Sequence, residues 1–186
     1  KRKLTGRSIL SSYFRWKQSI LGADNENLMA LSTIDQRKAL ALAEYLKTAR
    51  FPENIDELAT KTTQQVSARI DCLTCANCCK TSPPIIIASD IKRISKHLGI
   101  SKKQFQRKYI LEDVNGEMSF MNVPCSFLRE DNHCSIYEQR PEACRQYPHT
   151  DNKGFARLKR LHAKNVSRCP IAFEVVKKIK DSIDKI

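Results

Sequence analysis

The first third of the chain alternates hydrophobic and polar residues at the spacing of amphipathic helices. Residues 1–22 combine this pattern with six basic side chains and no acidic one, which is typical of a basic amphipathic helix. Two further helices are predicted over residues 32–48 and 54–70, and Asn54 is suited to cap the latter, which leads directly into the first cysteine. The pattern therefore predicts a helical N-terminal extension over residues 1–66.

Shorter elements follow in the middle of the chain. Three consecutive isoleucines at 85–87 predict a short buried strand or an extended segment. A helix is predicted over residues 90–98, with Ser89 as its N-cap and Gly99 as its C-terminal stop. Ser101 is suited to begin another short helix.

Two later signals complete the predicted fold. Asn115 and Gly116 stand between two alternating runs, which is typical of a β-hairpin turn. Pro170 fits the first turn of a final amphipathic helix. The chain has only five glycines, which argues against a glycine-rich all-β protein. We therefore predict a predominantly helical α+β fold with one short β-hairpin.

Eight cysteines indicate the chemistry that the hydrophobic pattern leaves open. Four of them lie within eight residues, whereas disulfide scaffolds spread their cysteines between strands, and a chain of 186 residues does not need disulfides to fold. We therefore interpret the cysteines as metal ligands, with structural disulfides and redox-active thiols as the alternatives. The candidate ligands are Cys72, Cys75, Cys78, Cys79, Cys125, Cys134, Cys144 and Cys169.

The same features bear on the compartment. No apolar leader segment follows the basic residues 1–10, and clustered thiols suit a reducing environment. No run of residues approaches the ~18–20 apolar positions of a membrane span. We therefore expect a cytoplasmic protein without a transmembrane segment.

The thiols leave two kinds of metal centre open. Zinc takes four thiolates in a tetrahedron, and iron–sulfur clusters also take four cysteines. Cys72, Cys75 and Cys78 have the spacing that opens the bacterial ferredoxin motif, so an iron–sulfur cluster is our preferred interpretation and Zn²⁺ the alternative. The side chains of Cys78 and Cys79 are expected to diverge, which indicates two sites or one multinuclear site. We expect one or two metal sites in total.

Other residues near the cysteines are candidates for supporting the metal without binding it. Arginines beside thiolates offset negative charge and donate hydrogen bonds to sulfur, and aromatic rings can pack over such a site. No nucleophile elbow, zinc-protease, Walker or dinucleotide-binding motif is present, so an enzymatic activity would require the metal centre. The supporting candidates are Tyr137, Arg140, Arg145, Tyr147 and His149.

The chain carries a formal net charge of +13, which points to an anionic partner. The segment from residue 88 to residue 108 contains seven basic residues and only one acidic residue, Asp90. Such a patch suits RNA or a ribonucleoprotein, and the N-terminal helix suits docking on a protein, although a solvated helix face has the same composition. The patch comprises Lys92, Arg93, Lys96, Lys102, Lys103, Arg107 and Lys108.

The order of the cysteine segments resembles a known family. Cys72 opens the sequence CLTCANCC, Cys125 opens CSFL, Cys134 opens CSIY, and Arg140 opens RPEACRQYP. Together these segments resemble the YkgJ-like cysteine-cluster family, a zinc- or iron-chelating domain. The resemblance implies that all eight cysteines are metal ligands.

This resemblance covers about residues 67–175 and implies a small metal-organised domain, which we place at residues 67–186. Our leading hypothesis is a metal-binding protein with a structural, electron-transfer or sensing role. A flagellin lysine methylase contains a similar cysteine cluster, so a metal-dependent methyl transferase or redox enzyme is one alternative. A basic adaptor that docks on RNA, a ribosome or another large assembly is the other.

Overall fold

The computed structural model describes residues 34–185 and confirms a predominantly helical α+β fold for them. The basic helix predicted over residues 1–22 lies outside the described residues. Two single turns of 3₁₀-helix span Tyr137–Gln139 and Phe155–Leu158. The helices are α1 (Gln36–Thr48), α2 (Ile55–Ser67), α3 (Cys72–Cys75), α4 (Asn77–Thr81), α5 (Ala88–His97), α6 (Lys102–Tyr109), α7 (Glu142–Gln146), α8 (Lys159–Asn165) and α9 (Pro170–Ile183), and the strands are β1 (Ile110–Glu112) and β2 (Met118–Phe120).

Local signals explain where α1 and α9 begin. The Asp35 carboxylate accepts hydrogen bonds from the backbone N–H groups of Arg37 (3.0 Å) and Lys38 (3.2 Å). These bonds satisfy two backbone donors that have no carbonyl partner within the helix. The helix predicted over 32–48 is confirmed, but it begins later, at Gln36. Pro170 stands in the first turn of α9, as predicted.

The helix predicted over 54–70 is confirmed as α2, but two of its details are wrong. Asn54 occupies the N-cap position without a side-chain hydrogen bond to the helix. The helix ends at Ser67, so it does not run into the first cysteine. Instead, α3 is a separate turn with its own cap, in which the Asp71 carboxylate accepts the N–H of Leu73 at 2.9 Å.

The first hydrophobic core lies between α1, α2, α8 and α9 and contains sixteen buried residues. The apolar face predicted for the final helix is buried here through Phe173, Val176 and Ile179. Phe155 is fully buried, and the edge of the Phe51 ring packs on it at a centroid distance of 5.5 Å. Each large apolar side chain buried in this way contributes about 1.5–3 kcal/mol, so this core supplies much of the hydrophobic stabilisation.

A fully buried histidine also lies in the first core. His162 stacks on Phe155 with ring centroids 4.1 Å apart. Within residues 34–185, neither of its ring nitrogens finds a hydrogen-bond partner. Burial lowers the pKa of His162 to about 4. The imidazole is therefore neutral in the folded protein near neutral pH.

This burial predicts an acid-sensitive fold. Between the unfolded pKa of 6.5 and the folded pKa of about 4, the unfolded chain binds the additional proton, so stability falls as pH falls through this window. The loss reaches about 3 kcal/mol, because one pKa unit corresponds to about 1.4 kcal/mol. Urea unfolding of His162→Phe between pH 7 and pH 4 should show a flatter profile than the parent. The exposed control His97→Gln should keep the parental profile, and equal slopes for all three proteins would contradict the prediction.

The second hydrophobic core lies between α5, α6 and the hairpin and contains seven buried residues. Aromatic rings form its centre, with centroids 6.4 Å apart for Phe105 and Phe120, 5.3 Å for Phe120 and Phe127, and 4.9 Å for Tyr109 and Phe127. The predicted start of α6 is confirmed, because the Ser101 hydroxyl accepts the N–H of Gln104 at 3.2 Å.

The predicted β-hairpin is confirmed. β1 and β2 pair in antiparallel fashion, with Ile110 opposite Phe120. In the turn, the Asp113 carboxylate accepts the N–H groups of Asn115 (2.8 Å) and Glu117 (2.9 Å). Gly116 has a φ of +79°, a conformation that glycine adopts at little steric cost.

The three isoleucines before α5 confirm an extended segment but not a buried strand. Ile86 is buried, whereas Ile85 and Ile87 are 48% and 47% exposed. Ile85 forms a single antiparallel bridge with Ser119 of the hairpin. The alternation arises because successive side chains of an extended segment point to opposite faces, and only one face meets the second core.

The predicted N-cap of the next helix is wrong, whereas its predicted end is confirmed. α5 begins before Ser89, which therefore lies inside the first turn. The Asp90 carboxylate instead accepts the backbone N–H of Ile87 at 3.2 Å and closes the helix start from within. Gly99, with a φ of +66°, follows the helix as predicted.

Candidate metal centre

The first four cysteines lie on two short turns of helix. α3 and α4, residues 72–81, are called the cysteine segment below. Ala76 separates the two turns in the left-handed conformation (φ +46°), and its N–H donates to the carbonyl of Cys72 at 2.8 Å. This reversal costs about 1–2 kcal/mol for a residue with a Cβ. Because of it, the four cysteines do not follow one face of a continuous helix.

The cysteine segment is tied to both cores. The buried Asn77 amide donates to the carbonyl of Arg168 at 2.7 Å, next to Cys169 of the first core. On the other side, the N–H of Cys125 donates to the carbonyl of Cys79 at 2.8 Å. Cys125 packs against the second core. The segment therefore lies where the two cores meet.

All eight cysteines carry free thiols in this structure. Burial raises the pKa of Cys125 to about 11 and that of Cys144 to about 12. Burial also raises the pKa of Cys134. The negative charge of the Cys79 thiolate raises all three pKa values further. The Cys134 thiol also raises the pKa of Cys125, and the Cys125 and Cys134 thiols both raise the pKa of Cys144. Every pair among these four thiols therefore interacts electrostatically.

Cys169, at the start of α9, also interacts electrostatically with thiols of the cysteine segment, and one of these, Cys72, interacts with Cys79 as well. Burial raises the pKa of Cys169 to about 11, and the charges of Cys72 and Cys75 raise it further. The phenol of Tyr147 also lies near these thiols: burial raises its pKa, and Cys169, Cys78 and Cys75 add to the effect. Tyr147 packs against the first core, and its predicted support of the metal stays a prediction.

Cys78 and Cys79 are adjacent in the cysteine segment. Their Sγ atoms are 3.9 Å apart, so the prediction that these side chains diverge is wrong. The hydrogen bond between them lowers the pKa of Cys79 to about 7 and raises that of Cys78. In a tetrahedral zinc site with Zn–S bonds of about 2.3 Å, two sulfurs lie about 3.8 Å apart. The spacing of this pair therefore suits thiolates at a metal centre.

The donor set fits zinc or iron in type and number. As positioned, residues 34–185 include no group of three Cys, His, Asp or Glu side chains that could hold a metal ion. However, a cysteine sulfur moves between staggered positions by rotation about χ1 alone, without a change in the backbone. Four thiolates are the ligand set of both structural zinc and iron–sulfur clusters. Since burial opposes loss of the thiol protons, a metal must supply the energy that removes them.

Of the predicted supporting residues, Arg140 lies near several sulfurs. Its positive charge lowers the pKa values of Cys72, Cys134 and Cys144, against the larger effect of burial. The guanidinium lies 3.8 Å from the centroid of the Tyr137 ring and donates to the Tyr137 carbonyl at 2.8 Å. Arg140 is thus held where it offsets thiolate charge.

Arg145 and His149 make other contacts. Arg145 donates to the carbonyls of Arg140 (3.3 Å) and Glu138, so it braces the backbone of this loop. His149 has a left-handed backbone (φ +68°), and its Nδ1 lies 3.2 Å from the side-chain nitrogen of Asn152. Burial lowers the pKa of His149. Their roles beside the metal stay predictions.

Asp90 is not among the predicted site residues, yet its carboxylate organises the approach to Cys144. The side chain is 1% exposed. One carboxylate oxygen, Oδ1, accepts from Nη2 of Arg93 at 2.6 Å and from the N–H of Glu142 at 3.2 Å. The sequence signal is an Asp–Arg pair three residues apart on a helix, which is typical of exposed pairs and does not indicate burial.

The ion pair with Asp90 also changes the predicted basic patch. Nη2 of Arg93 donates to the carbonyl of Arg140 at 2.9 Å, so this arginine serves the loop that carries Cys144. Its charge is paired with the Asp90 carboxylate, and its part in an anionic-partner patch stays a prediction. The other patch residues, Lys92, Lys96, Lys102, Lys103, Arg107 and Lys108, are exposed, and their partner stays a prediction.

In the part of the chain from residue 34 to 185, every helix is too short or too polar to traverse a lipid bilayer.

No curated protein and no solved structure matches the chain significantly. Residues 71–169, just over half of the 186, match the CxxCxxCC family model, whose description is "Putative zinc- or iron-chelating domain". With its free thiols collected between two cores, the chain belongs to this CxxCxxCC family.

Proposed function

We propose that this protein binds zinc or iron through its cysteine thiolates, and that the bound metal joins the two cores. The observation that carries the proposal is the position of the thiols. Cys169 belongs to the first core, Cys125 and Cys134 pack against the second, and the cysteine segment is hydrogen-bonded to both sides. A metal bound by these sulfurs would stabilise contacts between distant parts of the chain.

Zinc and an iron–sulfur cluster would supply different chemistry. Zinc has no redox chemistry in proteins, so a closed site of four thiolates would act as a structural link. A cluster would add electron transfer or redox sensing, and the C-x2-C-x2-C spacing of Cys72, Cys75 and Cys78 favours it. In both cases the role of this chain is to bring the thiols together, to limit water access by burial, and to offset their charge through Arg140.

Metal analysis combined with an absorption spectrum tests the proposal. The full chain, purified under anaerobic and reducing conditions, is expected to contain either iron with broad absorbance near ~400 nm or zinc without colour. Replacing Cys72, Cys75, Cys78 and Cys79 together by serine should abolish the metal content. The matched control is Ser89→Ala, an exposed change outside the cysteine segment, which should retain it. A parent protein that contains neither metal, and takes up neither on reconstitution, would overturn the proposal.

A further inference from the structure

The outer surface of α5 and α6, called the basic helix pair below, carries positive charge without an exposed acid. The two helices pack against each other over the second core. Between residues 88 and 109 the sequence contains one acid, Asp90, which is 1% exposed and paired with Arg93. In the part of the chain that the structure describes, the remaining basic side chains of this surface form no salt bridge. These exposed cations are Lys92, Lys96, Lys102, Lys103, Arg107 and Lys108.

Several of these charges lie where they oppose helix formation. Lys102 and Lys103 occupy the first turn of α6, beside the positive end of the helix dipole, and this turn contains no acid. Lys92 and Lys96 stand four residues apart on α5, and like charges at this spacing repel each other. Lys103 and Arg107 repeat this arrangement on α6. Helix stability therefore does not explain the charges, whereas an anionic partner would convert each repulsion into an attraction.

An open groove of about 610 Å³ lies on the basic helix pair. Its apolar surface comes from the connection between the two helices and from the end of α6. Its cations come from the last turn of α6, where Nζ of Lys108 lies 5.2 Å from the centroid of the Tyr109 ring. The groove therefore combines apolar surface with positive charge. It is lined by Leu98, Ile100, Gln104, Arg107, Lys108 and Tyr109.

The apolar part of the groove favours a protein over a nucleic acid as the partner. Single-stranded nucleic acids stack their bases on free aromatic rings. The Tyr109 ring is instead packed in the second core, with centroids 5.3 Å from Phe105 and 4.9 Å from Phe127. Leu98 and Ile100 provide aliphatic surface, which suits an apolar side chain of a protein.

Charge also excludes this chain itself as the occupant. A second copy that docked through the same surface would bring like charges together, which disfavours association. Residues 1–22 contain six basic side chains and no acid, so they lack the charge that would complement the groove. The occupant must therefore be a different protein with acidic residues around an apolar one.

We propose that the basic helix pair is a docking surface for an acidic amphipathic segment of another protein. An apolar side chain of this segment lies in the groove, and its carboxylates lie against the exposed cations around it. Amphipathic helices bind grooves in this way, through apolar residues three or four positions apart. The inference goes beyond the proposed metal binding and does not depend on which metal is bound.

Peptide binding to the metal-loaded full chain tests the proposal. The probes are a set of fluorescein-labelled peptides of about 15 residues, rich in glutamate, with leucines at varied helical spacings. Each has a control peptide of equal charge, in which serine replaces every leucine. Fluorescence anisotropy should show binding of leucine peptides, and their serine controls should bind about 10-fold or more weakly, because a buried leucine is lost.

A charge variant and a matched control locate the binding surface. The variant combines Lys102→Gln, Lys103→Gln, Arg107→Gln and Lys108→Gln, and the control combines Lys61→Gln, Arg160→Gln, Lys177→Gln and Lys178→Gln, which are exposed elsewhere on the chain. The charge variant should bind the leucine peptides about 10-fold or more weakly, since several small ion-pair contributions are lost together. The control has the same net charge as the variant and should bind like the parent.

The stability of a smaller variant separates binding from folding. Lys102→Gln combined with Lys103→Gln removes two charges from the positive end of α6. This variant should unfold at an equal or higher urea concentration than the parent. Unfolding at a lower concentration would show that these lysines serve the fold, and would overturn their assignment to a partner.

Four binding results would overturn the proposal. No peptide of the set would bind even at low ionic strength, or leucine and serine peptides would bind equally, so that the groove takes no part. The control variant would lose as much affinity as the charge variant. An RNA oligonucleotide of equal charge would bind more tightly and displace the peptides, which would make the partner a nucleic acid. All four are measured on protein of verified metal content, so they leave the proposed function intact.

Discussion

Removal of the metal should unfold the second core and the cysteine segment while the first core retains its helices. Four-thiolate zinc sites contribute about 10–16 kcal/mol of apparent binding free energy, which is comparable to the whole stability of a domain. The second core has seven buried residues against sixteen in the first, so it depends more on the metal. The second core is also hydrogen-bonded to the cysteine segment, through the N–H of Cys125 and the carbonyl of Cys79.

Amide hydrogen exchange of the metal-loaded and chelated protein measures this effect. After chelation under reducing conditions, amides of α5 and α6 should lose protection by a factor of 1,000 or more, equivalent to at least about 4 kcal/mol. Amides of α1 and α9 should change far less, because their helices pack together in the first core. Restoring Zn²⁺ or the reconstituted cluster should restore protection, which serves as the control. Uniform loss across the chain, or no change in α5 and α6, would contradict the prediction.

The elements that the sequence predicted correctly are those with a local cause. Asn115 and Gly116 predict the hairpin, since few other residues adopt such turns easily. Pro170 predicts the start of α9, because the backbone N–H that proline lacks would have no hydrogen-bond partner in the first turn of a helix. The predicted cap at Ser89 is wrong for a related reason: Asp90, one residue later, closes the same helix from inside its first turn. Two suitable cap residues in succession cannot be ranked by local propensity.

The candidate site shows the same limit at longer range. The sequence alone predicts all eight cysteines as metal ligands. Four of them lie within eight residues, and the other four follow in separate segments whose order resembles that of the family. The Asn77 bond to Arg168 and the Cys125 bond to Cys79 join residues 91 and 46 positions apart. Such contacts leave no periodic signal in a single sequence. The position of the cysteine segment between the two cores therefore required the structure.

The Asp90→Ala variant should lose about 3–5 kcal/mol of unfolding free energy, the range for breaking a buried ion pair from one side. The carboxylate is 1% exposed and accepts hydrogen bonds from Arg93, Ile87 and Glu142. Its loss leaves a partly buried guanidinium without its counter-charge and two backbone donors without their acceptor. Asp90→Asn keeps the shape of the side chain and should recover part of the loss.

Asp35 provides the matched control, because it also caps a helix but has a side chain that is 45% exposed. Urea unfolding of the metal-loaded proteins should give a loss for Asp90→Ala at least twice that for Asp35→Ala. The Asp90 variant should also bind metal more weakly at the site that contains Cys144, because the Arg93 link to the Arg140 carbonyl loses its anchor. Equal losses for the two aspartates would show that Asp90 acts only as a helix cap. Unchanged metal affinity in a destabilised Asp90→Ala variant would show that this ion pair supports the fold without positioning the Cys144 loop.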